Sequence, residues 1–504
     1  ATRTDCHIDG QGPCEAGGCC WSPVNPNPSN LPWCFKPSGP APPVPGGCCV
    51  QGSNCSSSAP FTDAEISTME GYFVANLNVG GQGGVVASPS TTQPDYYYHW
   101  QRDAGISMRV LQMVKTPTEV EAFMKSYMAW VHKVQFATDP NSIDVRGEPK
   151  FFLPDGTVFD KPWMRPQNDG CAVRSIALIV WANNLIAAGQ KDFVASTIFP
   201  NDATVPGIAR DMEYVLAQWN QDSGDPWEEV RGQVFFVKFV MRKALLDAAK
   251  LATALGYSTL ASTYSSTAAD IQSNIQSVHW NAQEGIIMEV PQTRELDSAT
   301  HLGFLYGANG DGFLDPNSAE AQSSVAVLVS SFSSANYPDF SINGKDDAAG
   351  IPGLLVGRYL HDTYNGGNTS QPGSGNPWIL CTAALADFYY RAANAHAHAG
   401  HIAISALNRP FWHQAIQYSA YGRTGALTDA HLRAVPEAFN ALKAALVLTG
   451  DGIMLRIKHH IQDLEFHCAE EINKDGGQSQ GAKDLTWSYG TVLSAMHSRA
   501  AGNL

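Results

Sequence analysis

The stretch GDPWEEVRG, residues 224–232, sets Asp225, Glu228 and Glu229 around a proline and Trp227, and an apolar run, Val234-Phe235-Phe236-Val237, follows directly. Carboxyls beside apolar and aromatic groups are the raw material of acid–base chemistry. Burial and a neighbouring negative charge both raise a carboxyl pKa, so one member of a pair can keep its proton while the other stays ionised. Glu228 and Glu229 are adjacent and read as the start of a helix running over 228–255. Adjacent helical side chains diverge, so the two glutamates serve different tasks. The bland alternative is a solvated acidic first turn stabilised by the helix dipole.

Five further loops share this composition of aromatic, charged and Pro or Gly residues: PDYYYHWQRDAG (94–105), KPWMRPQNDG (161–170), GRYLHDTYNGG (357–367), SGNPWIL (374–380) and KDLTWSYG (483–490). Aromatic faces cover the apolar C–H faces of a sugar ring. Carboxylates and guanidinium groups hold hydroxyls through charge-assisted hydrogen bonds. The set therefore points to a carbohydrate pocket, and no cofactor is expected. GGQGG (80–84) lacks the strand before it and the Gly-Lys-Ser/Thr after it that a phosphate loop needs, and reads as a flexible loop. In HAHAGH, His396, His398 and His401 do not share one helical face, and a solvated turn is expected. His459-His460 has no further ligand in view, so no metal site is expected.

These loops need a scaffold. Apolar residues recur at helical spacing around 61–77, 103–115, 117–137, 170–188, 205–219, 228–255, 257–280, 318–333, 376–395, 411–421, 427–449 and 485–499. Strand alternation is scarce and no short repeat is visible. About a dozen helices without a sequence period fit a closed, two-layered helical barrel with its long loops gathered at one end.

Composition narrows the partners. The chain of 504 residues has 47 acidic and 32 basic residues, a net charge of −15. That disfavours nucleic acid and anionic membrane surfaces. The most apolar run, 175–186, is broken by Asn183 and Asn184, short of the roughly 18–20 residues of a membrane span. Eight of the 11 cysteines fall within the first 55 residues. This is the density of a small disulfide module in an oxidising compartment, and with the first residue being Ala1 rather than Met it suggests a processed, secreted or lumenal protein. Sequons at Asn54 and Asn368 agree with secretion. Residues 38–58, rich in Pro, Gly and Ser, read as a linker. Cys171, Cys381 and Cys468 are expected as unpaired buried thiols.

Six segments in order, YYYHWQRDAG, WMRPQNDGCAVR, DPWEEVRGQVFF, VGRYLHDTY, GNPWILCT and CAEEINKDGGQSQGAKDLTWSYG, resemble the glucoamylases, glycoside hydrolase family 15. The resemblance covers most of 59–504. It implies an all-α (α/α)6 barrel and an inverting exo-hydrolase that releases glucose from the non-reducing ends of α-1,4-glucans; the sequence does not fix the oligomeric state, and a monomer is expected. Carried over, Glu228 matches the general acid, Glu229 its substrate-binding neighbour and Glu470 the general base. Arg102 with Asp103, and Arg358 with Asp362, match two hydroxyl-binding pairs. Asp225 joins the binding set. Tyr96, Trp100, Trp163, Trp227, Tyr364, Trp378 and Trp487 match aromatic walls. Asn168 stands where an Arg is common, and the link from Asp362 to GNPW is longer than usual. An α-1,6-glucosidase or trehalase on the same barrel is the alternative; a non-catalytic glycan binder would need neither Glu228 nor Glu470.

Residues 1–37 resemble a trefoil (P-type) domain through the pair Cys19-Cys20, Trp21 and PWCF. The resemblance implies Cys6–Cys19 and Cys14–Cys34 bridges. The usual first cysteine is absent, so Cys20 is expected to pair with Cys48, Cys49 or Cys55. Such a module could bind glycans or brace the catalytic domain, and the short linker favours bracing.

Overall fold

The computed structural model describes residues 59–367, 375–418 and 436–502, together with three short backbone strands near the N-terminus. The expected disulfides and both sequons lie outside the described residues. Of the three strands, Cys34–Pro37 lies between Arg3–Asp5 and Cys20–Trp21, antiparallel to both.

Among the described residues, twelve helices, alternately outer and inner, build a barrel, with shorter elements such as the helix Arg409–Tyr418 packed beside it. The outer set is α1 (Asp63–Ala75), α3 (Pro117–Val134), α5 (Ile208–Gln218), α7 (Ser258–Val278), α9 (Ala319–Phe332) and α11 (Pro436–Ile461). The inner set is α2 (Gln101–Val114), α4 (Asp169–Ala187), α6 (Phe235–Leu255), α8 (Ser298–Gly307), α10 (Ile379–Ala399) and α12 (Thr486–Ala501). Each inner helix packs on the next, and α12 returns to α2, which closes the ring of an (α/α)6 barrel.

The sequence explains which helix goes where. Outer α3 buries one stripe, Val120, Met124, Tyr127, Trp130, Val131 and Val134, at the spacing of a single helical face. Inner α4 buries every residue from Asp169 to Ile179, and inner α10 every residue from Ile379 to Tyr390. A helix apolar all round has to be surrounded by protein. By length and hydropathy α4 would pass for a membrane span, longer than the interrupted run read from sequence, but 72% of the span-length window is buried inside the barrel. Starts are capped: Thr62 with Glu65 and Thr116 with Glu119 form capping boxes, and Pro117 occupies the first turn of α3.

The connections are unequal. Lys115 and Thr116 alone separate α2 from α3, and Gly256 and Tyr257 alone separate α6 from α7. The segments entering the inner helices are long. The six inner N-termini, and the long segments before them, therefore share one end of the barrel.

Several expectations shift. The helix expected over 228–255 begins at Phe235, and residues 224–232 form a hairpin of Ser223–Gly224 with Arg231–Gly232. Helix α8 was not expected, nor was the helix Ser341–Ala349. The helix expected over 427–449 runs over Pro436–Ile461. GGQGG is only half loop-like: Gly83 and Gly84 are buried against Ser126, Trp130 and Leu153, where a Cβ would collide. HAHA closes helix α10, with Gly400 as its left-handed cap, and His396 is buried against Gln322 and Trp412. The solvation expected of this turn holds for His398 and His401, which are exposed, but not for His396.

Candidate active site

The hairpin turn explains why two adjacent glutamates part company. Asp225 Oδ1 accepts from the backbone N–H of Glu229 (2.8 Å) and of Val230 (2.9 Å), and Glu228 N–H returns to the Asp225 carbonyl at 3.0 Å. This tight turn holds Glu228 at φ +64°. A non-glycine residue in that region costs about 1 kcal/mol or more, and such strain collects at functional sites. The two side chains then go to different partners. Glu228 Oε1 accepts from Trp100 Nε1 at 2.7 Å and Gln167 Nε2 at 2.8 Å. Glu229 is gripped by Arg358 at 2.7 Å, Arg294 at 2.7 Å and the Tyr359 hydroxyl at 2.5 Å. Arg358 and its companions hold the Glu229 carboxyl below its usual range against burial, the largest effect, which works to raise it. Glu229 is therefore a matched charge, and the bare negative neighbour expected beside Glu228 is not what the fold builds.

Glu470 enters from the segment before α12 and is fully buried. Its carboxyl accepts from the Tyr364 hydroxyl at 3.1 and 3.2 Å and from Ala482 N–H at 3.1 Å. Burial pushes it up, and these donors oppose the rise. Gly481, at φ +74°, passes so close that a Cβ would collide with Glu470 Oε2. Beside it Glu471 accepts from Asn376 Nδ2 at 2.8 Å, and its Oε1 is buried without a partner among the described residues. Burial and the neighbouring Glu470 raise it as well.

The two glutamates share one wall. Trp100, which donates to Glu228, packs edge-on against Tyr96 at 5.5 Å; the Tyr96 hydroxyl meets that of Tyr364 at 2.8 Å, and Tyr364 donates to Glu470. Tyr364 continues to Trp378 (5.8 Å), Trp378 to Trp227 (5.6 Å) and Trp227 to Trp487 (6.3 Å). Trp163, 40% exposed, extends the wall outward from Trp100 at 6.3 Å. All seven aromatic residues expected from sequence thus meet in one continuous lining.

Polar groups are set into this lining. Arg102 Nη1 donates to Gln167 Oε1 (3.0 Å) and Asp169 Oδ2 (3.1 Å), while its buried Nε stands 3.7 Å from Asp103 Oδ2, an ion pair too long for a hydrogen bond. Burial pushes Asp103 up to about 6 although Arg102 pulls it down. Arg358 holds Asp362 through two bonds of 2.7 Å. Asp225 and Asp362 were expected to bind substrate; here their oxygens, like those of Glu229, also hold partners within the protein. Asp225 organises the turn and binds Arg294 at 2.8 Å, and Asp362 fixes Arg358 and the Tyr364 amide.

Sequence reasoning passed over Gln167, Lys150, Arg294 and Tyr359. Gln167 and Tyr359 lay inside quoted segments, whereas Arg294 sits on a loop without an aromatic residue to flag it. Lys150 is buried, with its ammonium 3.3 Å from the centre of the Trp163 ring and 4.4 Å from that of Trp100. Burial lowers its pKa to about 8. For metals, the fold brings Asp346 to His459 and His460, so that one donor atom of each lies within 4.8 Å of the others. His460 is already paired with Asp346 at 2.9 Å, and Arg456 stands 3.8 Å from the same oxygen. Asp346 is the hydrogen-bonded partner of His460 that a reading of His459-His460 alone does not reveal.

With this geometry in view, comparison with known families is decisive. Residues 75–497 match the model of glycosyl hydrolases family 15. The chain belongs to that family. Residues 1–37 match the trefoil (P-type) domain model. Among curated relatives, a glucoamylase of Blastobotrys adeninivorans is 33% identical over 456 residues, 87% of this chain and 71% of the relative. Glucoamylase 1 of Rhizopus oryzae is 33% identical over 438 residues, 84% and 68% of the two chains. Among solved structures, the Saccharomycopsis fibuligera glucoamylase superposes with a TM-score of 0.75 at 28% identity, covering 88% of this chain and 95% of that one. As a family 15 member the chain is a glycoside hydrolase.

Proposed function

We propose that the chain is an exo-acting, inverting hydrolase that releases glucose from the non-reducing ends of α-1,4-glucans such as starch, glycogen and maltooligosaccharides. One observation carries the mechanism. Of the six carboxyls selected from sequence, Asp225, Glu229 and Asp362 are bonded to a guanidinium and Asp103 stands 3.7 Å from one, whereas Glu228 and Glu470 are held by neutral donors alone. A carboxylate locked to arginine cannot easily change protonation state; one held by amide, indole or hydroxyl donors can.

Glu228 gives its proton to the glycosidic oxygen as the bond to the anomeric carbon breaks. Glu470 takes a proton from a water that attacks that carbon from the opposite face. Water's hydroxide completes the sugar as the β-anomer, and the leaving chain keeps the proton from Glu228. Arg102 with Asp103, and Arg358 with Glu229, hold hydroxyls of the terminal unit. Trp100, Trp227 and Trp487 cover its apolar faces, and Trp163 meets the following unit.

A cysteine-rich trefoil match and the two sequons support a secreted or lumenal setting. The test is glucose release from maltose, maltoheptaose, isomaltose and trehalose, with the first product followed by proton NMR. The reading expects β-glucose, fastest from maltoheptaose. An α-anomer as first product overturns inversion, and preference for isomaltose or trehalose overturns the linkage.

A further inference from the structure

A second concavity lies apart from the site just described, on the outer flank of the barrel. It is a cleft of about 490 Å³ between α7 and α9, beside the shortest inner helix, α8. Its walls come from the C-terminal half of α7, the hairpin Trp280–Asn281 with Ile286–Ile287, the loop after α8 and the first turn of α9. The volume falls within the range of small-molecule sites.

Its chemistry is specific. Trp280 and Phe313 supply half-buried aromatic surface. Gln272 and Gln276 supply amides, and Asp311 and Glu320 supply carboxyls. Behind the wall stands Arg242 of α6, 3% exposed. Its Nη2 donates to Gln272 Oε1 and to Asp311 Oδ2, both at 2.6 Å, and its guanidinium lies 4.7 Å from the centre of the Phe313 ring. Its Nε and Nη1 are buried without a partner among the described residues. These nitrogens lie behind the lining rather than on it, so contacts to anything in the cleft fall to the lining residues, two of which, Gln272 and Asp311, Arg242 holds in place.

The charge balance selects the class of ligand. Asp311 matches Arg242, which holds its carboxyl below the usual range even though burial, the larger effect, raises it. Glu320 adds a further acidic group, and no Lys or Arg is among the described residues that line the cleft. Phosphate and other anions are disfavoured. A neutral polyhydroxyl molecule with apolar C–H faces fits: aromatic rings for the faces, amides and carboxyls for the hydroxyls.

We propose that this cleft is a second carbohydrate-binding site, which takes a short segment of α-glucan and holds polymeric substrate against the barrel flank. The proposal rests on the reading of the chain as a glucan hydrolase only for the identity of the sugar.

The probe is β-cyclodextrin, a ring of α-1,4-linked glucose without a chain end, which an exo-acting pocket has no end to engage. Titration calorimetry on the full chain is expected to show saturable binding, weakened at least tenfold by Trp280→Ala. Gln276→Ala, at an exposed helix position, is expected to weaken it in the same direction without disturbing the fold, as checked by melting temperature. Both variants are expected to adsorb less to starch granules while keeping kcat/KM on maltoheptaose within twofold. Absence of cyclodextrin binding, equal binding by folded variants, or equal losses on maltoheptaose overturns the proposal. Binding that depends on Trp280 in a chain that releases no glucose would leave the cleft standing and sink the proposed activity; glucose release without such binding does the reverse.

Discussion

At the scale of single residues, what matters is which carboxyls are free to exchange a proton. Glu228→Gln keeps an oxygen for the Trp100 indole but has no acidic proton to give. Its kcat is expected to fall by at least about a thousandfold, at the upper end of what general acid catalysis supplies, with the fold unchanged by circular dichroism. Glu470→Gln is expected to slow turnover as severely. Tyr364 donates to both Glu470 oxygens and so stabilises the ionised form. Tyr364→Phe removes that support and raises the Glu470 pKa. The base works ionised, and activity disappears as pH falls through its pKa, so the acidic limb of kcat/KM should move to higher pH. A bond to a charged group worth about 1.5 kcal/mol shifts it by about one unit. An acidic limb that stays in place would mean that Tyr364 only packs. The arginine-paired carboxyls behave differently: Asp103→Ala is expected to cost several kcal/mol in kcat/KM, against about 0–1 for a surface ion pair. Gly481→Ala, forced against Glu470 and held at φ +74°, is expected to abolish activity with a melting-temperature loss of several degrees.

At the scale of elements, the hairpin at 224–232 is the part whose residues were easiest to pick and whose form was hardest to read. Its acidic and aromatic content stood out, and DPWEE followed by an apolar run looks like a helix start. What decides otherwise is Asp225, whose one oxygen closes the turn by taking two backbone N–H groups, a local choice open to Asp in helix and turn alike. Asp225→Ala should therefore destabilise by about 2–4 kcal/mol, the cost of unpaired amides and of Arg294 without its partner, and should reduce kcat through a misplaced Glu228. Urea unfolding and steady-state kinetics on the same variant check both halves. Helix α8 was missed because it spans ten residues, SATHLGFLYG, with two glycines and nearly every side chain buried, so it has no amphipathic stripe to betray it. Its Gly307 is needed for contact with Phe239, where a Cβ would overlap the ring. The long helices and the aromatic walls were legible because periodicity and rare residue types are local properties. Arg294, Lys150 and the pairing of Asp346 with His460 were not, because each gains its meaning from a partner far away in sequence.

At the scale of the whole molecule, six inner helices present their N-termini toward the end that carries the carboxyls. Each helix N-terminus acts as roughly half a positive charge. Six converging on one mouth help to explain how a chain of net charge −15 tolerates Asp103, Asp169, Glu228, Glu229, Glu470 and Glu471 in one region. The same ring predicts a graded stability. Amides of α4, α10 and α12, surrounded by protein, should exchange only through global unfolding, whereas α3 and α7, with one face in solvent, should open earlier. Hydrogen exchange followed by mass spectrometry resolves the two classes, and equal protection of inner and outer helices would contradict the layered reading.

The packed interior of that ring has a further consequence for traffic. Behind the pocket Tyr306 of α8 packs against Phe236 of α6 and Trp487 of α12, both at 6.5 Å, and its hydroxyl accepts from the Trp487 indole at 3.1 Å, so side chains floor the barrel rather than leaving a duct. A glucose cut from a chain end therefore has no back door and must leave by the mouth that admitted it. The shortened polymer has to withdraw before the product can go, so each cut ends one encounter. Digestion should shorten many chains a little rather than a few chains completely, and free glucose should compete with substrate for entry.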